Sequence, residues 1–595
     1  MNWEVRTMLL TRSFYNPAML RSDLRRTWPL LGGYTLIWLL FLPLRLMRAL
    51  DGVAPKFAAQ SIQVSIEKAM YASTWIDLFA GLILAASLFS YLSSPRATYG
   101  LHSLPVSRGC QFRTHVLCGV GGVVCCNVVI AALTILVQLG GGVNWGMTLS
   151  WLVCATVSFL LFFALGVVCC MLCGWLPGVV VAYGGLNGVA AVVKILISTL
   201  CSIFYPSYND SWHDISYDGV VTWLTPILRL QYSLNDVALY ARDTETADLT
   251  AMWQSLLVYG IAAVVLLVAA WLLYTVRRSE RSGDTVAFKP LRPVVRWAAG
   301  LLGGLGLGIV FAALIGSPEE FSLLLICTVV LGLACMTGAQ MLLAKTPKVF
   351  KKLWPELLAL WLVIAALCTC MEKDAFGYER RIPKASQVES VEVVCMWFGG
   401  YKTSDPDEID TILQTHAYLQ ENSDDSMKFN ISSLILSYSL KDGSTLSRRY
   451  YVGDSDRARI QSLLETYSFR RGVVMSTWGD VSVEALRTGY YTLGGQQTEL
   501  TQEQARALYN AILDDAAALD MTSADLYEGE QCRMDIRVKN LDGSVQADLY
   551  LNRQCTRTLQ LLQDWGIIES PDEIFVPQII DGADDAQASE AALLD

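Results

Sequence analysis

Residues 147–172 read MTLSWLVCATVSFLLFFALGVVCCML, a run of 26 positions without a charged side chain. An α-helix rises about 1.5 Å per residue, so a run of this length crosses the roughly 30 Å hydrocarbon core of a bilayer. Comparable apolar runs lie on both sides of it. Together they predict nine membrane spans, at about residues 28–47, 74–93, 116–139, 147–172, 178–204, 251–275, 297–316, 321–344 and 354–371.

Lysine and arginine are concentrated in the first 27 residues and in the loops that follow spans two, six and eight. They include Arg21, Arg25, Arg26, Arg96, Arg108, Arg113, Arg277, Arg278, Arg281, Lys345, Lys348, Lys351 and Lys352. Cytoplasmic loops carry such an excess, which predicts a cytoplasmic N-terminus and a multi-pass protein of the plasma membrane. The loop at 48–73 fits less well because it holds three basic residues. Nine spans then predict an extracytoplasmic segment after residue 371.

The segment from Glu372 onward differs from the rest of the chain in charge. It contains 38 acidic and 20 basic residues, a net charge of −18, whereas the part before it has a net charge of +8. Such an acidic balance keeps a domain soluble and argues against binding of nucleic acid. We therefore predict a polytopic α-helical membrane protein with a C-terminal soluble α+β domain.

The C-terminal segment contains an internal repeat with an offset of about 100 residues. Asp442-Gly443-Ser444 and Asp542-Gly543-Ser544 each lie between alternating apolar residues, which predicts two β-hairpins. Each hairpin follows a helix candidate and a strand candidate. The helix candidates are 405–421 and 501–519, the second with a capping box from Thr501 to Gln504, and the strand candidates are 388–398 and 481–488. The repeats form either one α+β domain or a tandem pair.

These patterns divide the chain into six parts. The boundaries are a cytoplasmic leader at 1–27, a six-span core at 28–275, a basic cytoplasmic linker at 276–296, three further spans at 297–371, the α+β domain at 372–576 with repeat units at about 388–468 and 481–566, and a disordered tail at 577–595. The leader mixes apolar residues with arginines. An amphipathic helix on the membrane surface and a merely solvated leader both remain open.

The sequence predicts no catalytic site and no metal or cofactor held by this chain. Its four histidines, His102, His115, His213 and His416, have no metal-ligand spacing, and no Gly-Lys dipeptide occurs from which a phosphate-binding P-loop could be built. The run from Leu493 to Gln497 resembles an ATPase signature superficially. We interpret it as a plain turn.

Two features of the predicted spans carry polar or packing information. Lys194 and Asn187 lie about two turns apart in span five, where an ionisable group is costly and often faces a pathway or a partner. A translocation-pathway role and a structural role both remain open for them. Gly300, Gly304 and Gly308 in span seven have the four-residue spacing that lets a neighbouring helix approach closely.

The second hairpin also leads to a disulfide hypothesis. If Asp542-Gly543 is a two-residue turn, residues whose numbers sum to 1085 lie opposite each other in the hairpin. Cys532 then lies opposite residue 553, and Cys555 is the diagonal neighbour on the same face of the sheet. Bridged cysteines need Cα atoms within roughly 7 Å of each other. We predict a bond between Cys532 and Cys555, with the reduced pair as the alternative.

The loop after span two reads Ser94-Pro95-Arg96-Ala97 and then Ser103-Leu104-Pro105-Val106-Ser107-Arg108. With the basic leader, six spans and a long outer loop before span six, it resembles the type-2 ABC-transporter permeases. Two further stretches are similar to a Firmicutes-type branch that has extra spans and an uncharacterised extracytoplasmic C-terminal domain. They are Arg277 to Phe288 after span six and Phe376 to Pro383 after span nine.

The resemblance implies a bacterial export permease that pairs with a separate ABC ATPase subunit, which binds ATP and Mg²⁺. It also implies a homodimer or heterodimer of permeases in membrane lipid, and short helices in the outer loop at about 212–245. The loop at 94–115 would be the coupling element, with contacts to the ATPase through Arg96, Leu104, Pro105, Val106 and Arg108. A non-transporting envelope sensor or scaffold is the alternative, and a membrane enzyme is a third reading.

Overall fold

The computed structural model describes most of the chain, with gaps. The described residues are 14–51, 55–139, 142–209, 219–240, 249–395, 399–422, 432–452, 466–478, 482–493, 496–519, 531–540 and 546–576. The chain divides into two compact units. The helical unit comprises Met1–Leu200 and Ser211–Thr369, and the tail unit comprises Cys201–Asp210 and Cys370–Asp595.

Within the described residues, nine helices are long and apolar enough to cross a membrane. Spans one to nine are Pro17–Leu50, Ala58–Ser93, Arg108–Gln138, Trp145–Leu172, Leu176–Phe204, Thr250–Val276, Leu291–Ile315, Phe321–Ala344 and Phe350–Glu372. Three shorter helices connect them. They are α1 (Pro95–His102) after span two, and α2 (Val220–Trp223) and α3 (Pro226–Tyr240) between spans five and six. The structure thus contains two short helices in the loop before span six.

The first two spans are longer than the sequence predicts. The helix of span one begins at Pro17, with the Asn16 side chain accepting from the backbone of Ala18 and Met19, so it includes residues 17–27 of the predicted leader. Residues 1–13 of the leader lie outside the described part. The helix of span two begins at Pro55 rather than 74. Hydropathy missed its first turns because they carry polar residues, among them the buried Ser65 and Glu67.

Spans seven and eight approach each other closely along the predicted glycine positions. A Cβ atom added at Gly304 would lie 2.6 Å from Cα of Gly332, and one at Gly308 would lie 2.5 Å from Cα of Thr328. At Gly300 it would meet the Leu360 side chain of span nine at 2.8 Å. The absence of side chains at these positions is therefore what lets the helix backbones approach.

The tail unit contains two antiparallel sheets with the same internal strand order. The first sheet has the order β2-β1-β3-β4, and the second has the order β5-β10-β9-β6-β7. The strands of the first sheet are β1 (Val388–Cys395), β2 (Gly399–Thr403), β3 (Ser432–Leu440) and β4 (Thr445–Val452). Those of the second are β5 (Met475–Trp478), β6 (Thr488–Leu493), β7 (Gln496–Leu500), β9 (Asp535–Lys539) and β10 (Gln546–Leu549).

Each half of the tail unit consists of a hairpin, a helix and a second hairpin, so the predicted repeat is a repeat of structure. The helices between the hairpins are α4 (Pro406–Asn422) and α6 (Gln502–Ala518). Two others are α5 (Tyr467–Val474) and α7 (Thr556–Asp564). Apolar side chains of both halves belong to one hydrophobic core. The alternative of a single α+β domain is therefore correct, and the tandem pair is not.

Several details of the predicted repeat are corrected by the structure. The strand predicted at 481–488 is a 3₁₀ turn at Val483–Ala485, followed by β6. The sequence analysis did not identify β2 and β7. Leu493 pairs with Gln496 across the β6–β7 hairpin, which agrees with the turn predicted there. The predicted disordered tail at 577–595 lies outside the described residues.

The short segment after span five belongs to the tail unit and extends its first sheet. Tyr208 forms a β-bridge with Arg448, and the backbone N–H of Arg449 donates to the Ser207 carbonyl at 2.9 Å. Tyr205 stacks on Tyr378 with ring centroids 4.9 Å apart. The tail unit is therefore joined to the chain at the end of span five as well as at the end of span nine.

Candidate functional site

Helix α1 is fastened to the segment that follows span six (residues 277–289, the post-span-six segment). Pro95 occupies the first turn of α1, where its missing N–H removes no helical hydrogen bond. The buried Thr98 hydroxyl lies 2.8 Å from both the Tyr91 carbonyl and the Ser282 hydroxyl. One face of α1 is thereby fixed, while Arg96 and Tyr99 on its other face are exposed.

The C-terminal end of α1 and the start of span three meet at Ser279. His102 Nδ1 lies 3.0 Å from Ser279 Oγ, and Arg108 Nη2 donates to the same oxygen at 2.9 Å. His102 Nε2 lies 3.2 Å from the Tyr274 hydroxyl. Burial, together with the charges of Arg108 and Arg277, lowers the pKa of His102. A neutral imidazole therefore bridges α1 and the end of span six at neutral pH.

Arg277 ties the post-span-six segment to the ends of two other spans. Its guanidinium is buried and donates to the carbonyl oxygens of Cys170, Met171 and Cys173 at 2.6, 2.9 and 3.1 Å. It also donates to the Leu92 carbonyl at 3.2 Å. These carbonyls lie at the C-terminal ends of spans two and four, where helices leave acceptors unpaired and favour a cation.

Further along, the post-span-six segment contacts the ends of spans four and eight. Gly174 and residues 283–284 exchange two backbone hydrogen bonds of 2.9 and 2.8 Å. The Asp284 carboxylate pairs with Arg292 at 3.2 Å and with Lys345 at 3.5 Å. A Cβ at Gly174 would lie 2.6 Å from the Arg281 carbonyl, so only glycine fits there. The loops after spans two, four, six and eight therefore meet at one end of the helices.

The structure places the predicted coupling residues around α1 in two groups. Arg96, Leu104 and Pro105 are exposed, whereas Val106 is half-buried. Arg108 is also half-buried, and its guanidinium donates within the chain to the Arg277 carbonyl at 2.9 Å as well as to Ser279. The exposed residues are accessible to a partner. Arg108 therefore has a role in holding the post-span-six segment that the sequence did not reveal.

The two polar residues predicted in span five differ in environment. Asn187 is buried, and its Nδ2 donates to the Tyr183 carbonyl one turn earlier at 2.9 Å. Lys194 is partly exposed. Neither residue lines the apolar cavity of about 410 Å³ that lies between spans one and two. Their predicted pathway role stays a prediction.

Sequence reasoning missed two buried polar pairs inside the spans. His115 Nδ1 lies 2.7 Å from Asp23 Oδ2, which joins spans three and one. Deeper in the helical unit, Tyr34 of span one lies 2.9 Å from Oδ1 of the fully buried Asp77. Tyr34 also lines the apolar cavity. The partners are 43 or more residues apart, so no local pattern pointed to either pair.

The predicted disulfide requires Cys532 to lie in the first strand of the second hairpin, and in the structure it does not. Gln546 pairs with Lys539, so the sum of 1085 is correct for β9 and β10. Cys532, however, lies in a separate strand β8 (Gln531–Cys532) and pairs with Phe575 of β11 (Phe575–Val576). Both thiols are free, and burial raises the pKa of Cys555 to about 12.

A buried histidine lies at the centre of the first half of the tail unit. His416 of α4 stacks on Tyr438, and its Nδ1 lies 2.9 Å from the Tyr438 hydroxyl. Burial, with the charge of Arg448 nearby, lowers the pKa of His416 to about 4. The Arg448 guanidinium is itself buried and lies 3.8 Å over the Tyr378 ring.

The depressed pKa of His416 should make the tail unit sensitive to acid. The unfolded chain binds this proton with the ordinary pKa of 6.5, so stability should fall as the pH drops from about 6.5 towards 4. The loss attributable to His416 should reach roughly 3 kcal/mol. Denaturant unfolding of the tail unit, followed across this pH range in the full chain, measures it. His416→Phe should flatten the slope, and an unchanged slope in that variant would assign the acid sensitivity to other groups.

Comparisons with known proteins give this site no precedent. No protein-family model, no curated protein and no solved structure matches the chain. Across the parts of the chain that the structure describes, no group of three or more His, Cys, Asp or Glu side chains is arranged to hold a metal ion. The candidate site is therefore defined by geometry alone: a short helix with an exposed face, fastened through Ser279 and Arg277 to the ends of several spans.

Proposed function

We propose that this chain is the membrane-spanning permease subunit of an ATP-driven ABC transporter of the exporter type. A separate ATPase subunit binds and hydrolyses ATP with Mg²⁺, and two permease chains form the pathway. The leader and the basic loops lie in the cytoplasm, and the tail unit lies outside the plasma membrane. The charge distribution supports this orientation, because the loops that meet around residues 277–289 are the ones rich in lysine and arginine.

The attachment of α1 is the observation that carries the proposal. A coupling element must be exposed to its partner and must also be rigidly joined to the spans. Tyr99 and Leu104 are 54% and 46% exposed, which provides an apolar contact surface. Thr98 and His102 join α1 to Ser282 and Ser279 of the post-span-six segment, and Arg277 of that segment holds the ends of spans two and four. A force on α1 would therefore reach several spans together.

The test is co-purification from native membranes of the wild-type chain and of a variant that lacks the exposed apolar side chains of α1 and of the loop directly after it. The wild-type chain should bring down an ATPase with nucleotide-hydrolysing activity. The double variant Tyr99→Asp, Leu104→Asp should insert normally, because both side chains are exposed, but should lose most of the bound ATPase. Phe350→Asp is the matched control, since Phe350 is 57% exposed and lies at the start of span nine.

Two results would contradict the proposal in different ways. If the wild-type chain purifies without any ATPase, the sensor or scaffold becomes the better explanation of the whole protein. If the ATPase is present but the double variant keeps it at the wild-type ratio, the chain is a permease whose coupling element lies elsewhere. Retention by Phe350→Asp together with loss by the double variant assigns the contact to α1.

A further inference from the structure

Four spans meet at a hydrogen-bond network of polar side chains in the interior of the helical unit. Tyr34 belongs to span one, Asp77 to span two, Asn127 to span three and Thr156 to span four. Tyr34, Asp77 and Asn127 are buried, with Asp77 and Asn127 completely inaccessible. The Tyr34 hydroxyl lies 2.9 Å from Asp77 Oδ1 and 3.0 Å from Asn127 Oδ1. Asn127 Nδ2 donates to Thr156 Oγ1 at 3.2 Å.

The number of protons available to this hydrogen-bond network decides whether Asp77 is protonated or ionised. A tyrosine hydroxyl has one proton, yet Tyr34 lies within bonding distance of two acceptor oxygens. If Asp77 were ionised, Tyr34 would donate to it, and the Asn127 oxygen would face the Tyr34 oxygen with no proton between them. If Asp77 is protonated, it donates to Tyr34, Tyr34 donates to Asn127, and Asn127 donates to Thr156. Only the protonated carboxyl gives every contact a proton in this arrangement.

The charges around Asp77 lead to the same conclusion. Its titratable neighbours are the Tyr34 hydroxyl, the Cys154 thiol of span four and the Tyr183 hydroxyl of span five, all of them neutral groups. Helix α3 also packs on span two, but its Arg229 guanidinium bonds to Ser255 and lies over the Trp223 ring. Among the described residues no cation pairs with Asp77, and Asp77 Oδ2 has no hydrogen-bond partner. An unpaired carboxylate at this depth is disfavoured by several kcal/mol.

We propose that Asp77 is a proton-binding site in the membrane interior of this protein. In the present conformation it holds one proton, which it donates to Tyr34. The site can also exchange that proton. When Asp77 releases this proton to water, the Asn127 amide turns by half a turn. Asn127 then donates to Tyr34, and Tyr34 donates to the carboxylate. Every hydrogen bond of the network thereby reverses its direction. Proton binding is thereby linked to the contacts among spans one to four, whatever the chain transports.

Infrared difference spectroscopy on the full-length protein in micelles tests this site. At neutral pH the wild-type protein should show the carbonyl band of a protonated carboxylic acid that shifts in heavy water. Asp77→Asn should remove from this band the contribution of one carboxylic acid group per protein chain. Glu67→Gln is the matched control, because Glu67 is a buried carboxyl of the same span that accepts from Gln63 at 2.9 Å instead. That substitution should leave the Asp77 band in place.

Each outcome supports or overturns the proposal. Tyr34→Phe keeps the carboxyl but removes its acceptor, so the band should move to higher frequency, and this variant decides the matter if Asp77→Asn does not fold. A spectrum that Asp77→Asn leaves unchanged, or a band that Tyr34→Phe does not move, would show that Asp77 is not the donor. In an alkaline titration the band should disappear reversibly from folded protein. Disappearance only on unfolding would mean that the proton does not exchange.

Discussion

Replacing Arg277 by methionine should destabilise the helical unit by about 3–5 kcal/mol, the range expected when a buried charged donor is removed from its acceptors. The guanidinium contacts four carbonyl oxygens at the ends of spans two and four. Methionine fills a similar volume but donates no hydrogen bond, so these acceptors would be left buried and unpaired. We also expect the post-span-six segment to lose its fixed position beneath α1.

The measurement is the midpoint of denaturant-induced unfolding of the full chain in micelles. Arg278→Met is the matched control, since Arg278 is the adjacent residue and is exposed. This control variant should unfold at the same midpoint as the wild-type chain within experimental error. Arg277→Lys keeps the charge but has a single nitrogen in place of the guanidinium fork, so it should recover only part of the stability. Equal midpoints for Arg277→Met and Arg278→Met would show that the four carbonyl contacts contribute nothing.

The number of spans could be predicted from the sequence, because a lipid-facing helix must be apolar over most of its length. The start of span two could not. Ser65, Glu67 and Ser73 are buried, so they contact other helices instead of lipid, and a hydropathy average does not distinguish these two cases. Asp77 lies inside the predicted span, but no local pattern marks it as a candidate site because its partner Tyr34 is 43 residues away.

The candidate site could be predicted only in outline. The sequence predicts the loop at 94–115 as the coupling element but not its attachment, because Thr98 and Ser282 are 184 residues apart and Arg108 and Ser279 are 171 apart. In the sequence, Arg277 is one of many basic residues that indicate the orientation of the spans. Nothing local separates it from Arg278, yet one side chain is buried and the other is exposed. That difference arises from the packing of three spans.

The repeat of the tail unit could be predicted because turns are local. In the second hairpin Gln546 pairs with Lys539, which is the predicted register of its strands. The first hairpin has a different register. Ser439 pairs with Thr445, and the Leu440 N–H donates to the Ser444 carbonyl at 2.8 Å, which leaves three residues in the connection, Lys441, Asp442 and Gly443. Gly443 has φ of +80°, the left-handed position that ends a three-residue hairpin loop. The first Asp-Gly pair therefore lies in a three-residue loop rather than in a two-residue turn.

Substituting both Gly304 and Gly308 by alanine should separate spans seven and eight and lower the free energy of unfolding by about 4 kcal/mol, as overpacking at two rigid contacts would. Each new Cβ would lie 2.6 Å or less from a backbone Cα atom of span eight, and a backbone cannot move aside as a side chain can. Alanine favours the helix over glycine by about 1 kcal/mol, which offsets only part of this loss.

Gly306→Ala provides the matched control for this pair because it lies on the same helix and differs only in direction. A Cβ at Gly306 would meet the Leu196 side chain at 3.6 Å, an ordinary contact, so this variant should be as stable as the wild-type chain or slightly more stable. The midpoints of unfolding in micelles compare the three proteins. If the double variant matched Gly306→Ala, helix propensity would dominate over packing and the close approach would not be needed. A loss confined to the double variant would assign the stability of this helix pair to the direct contact between its backbones.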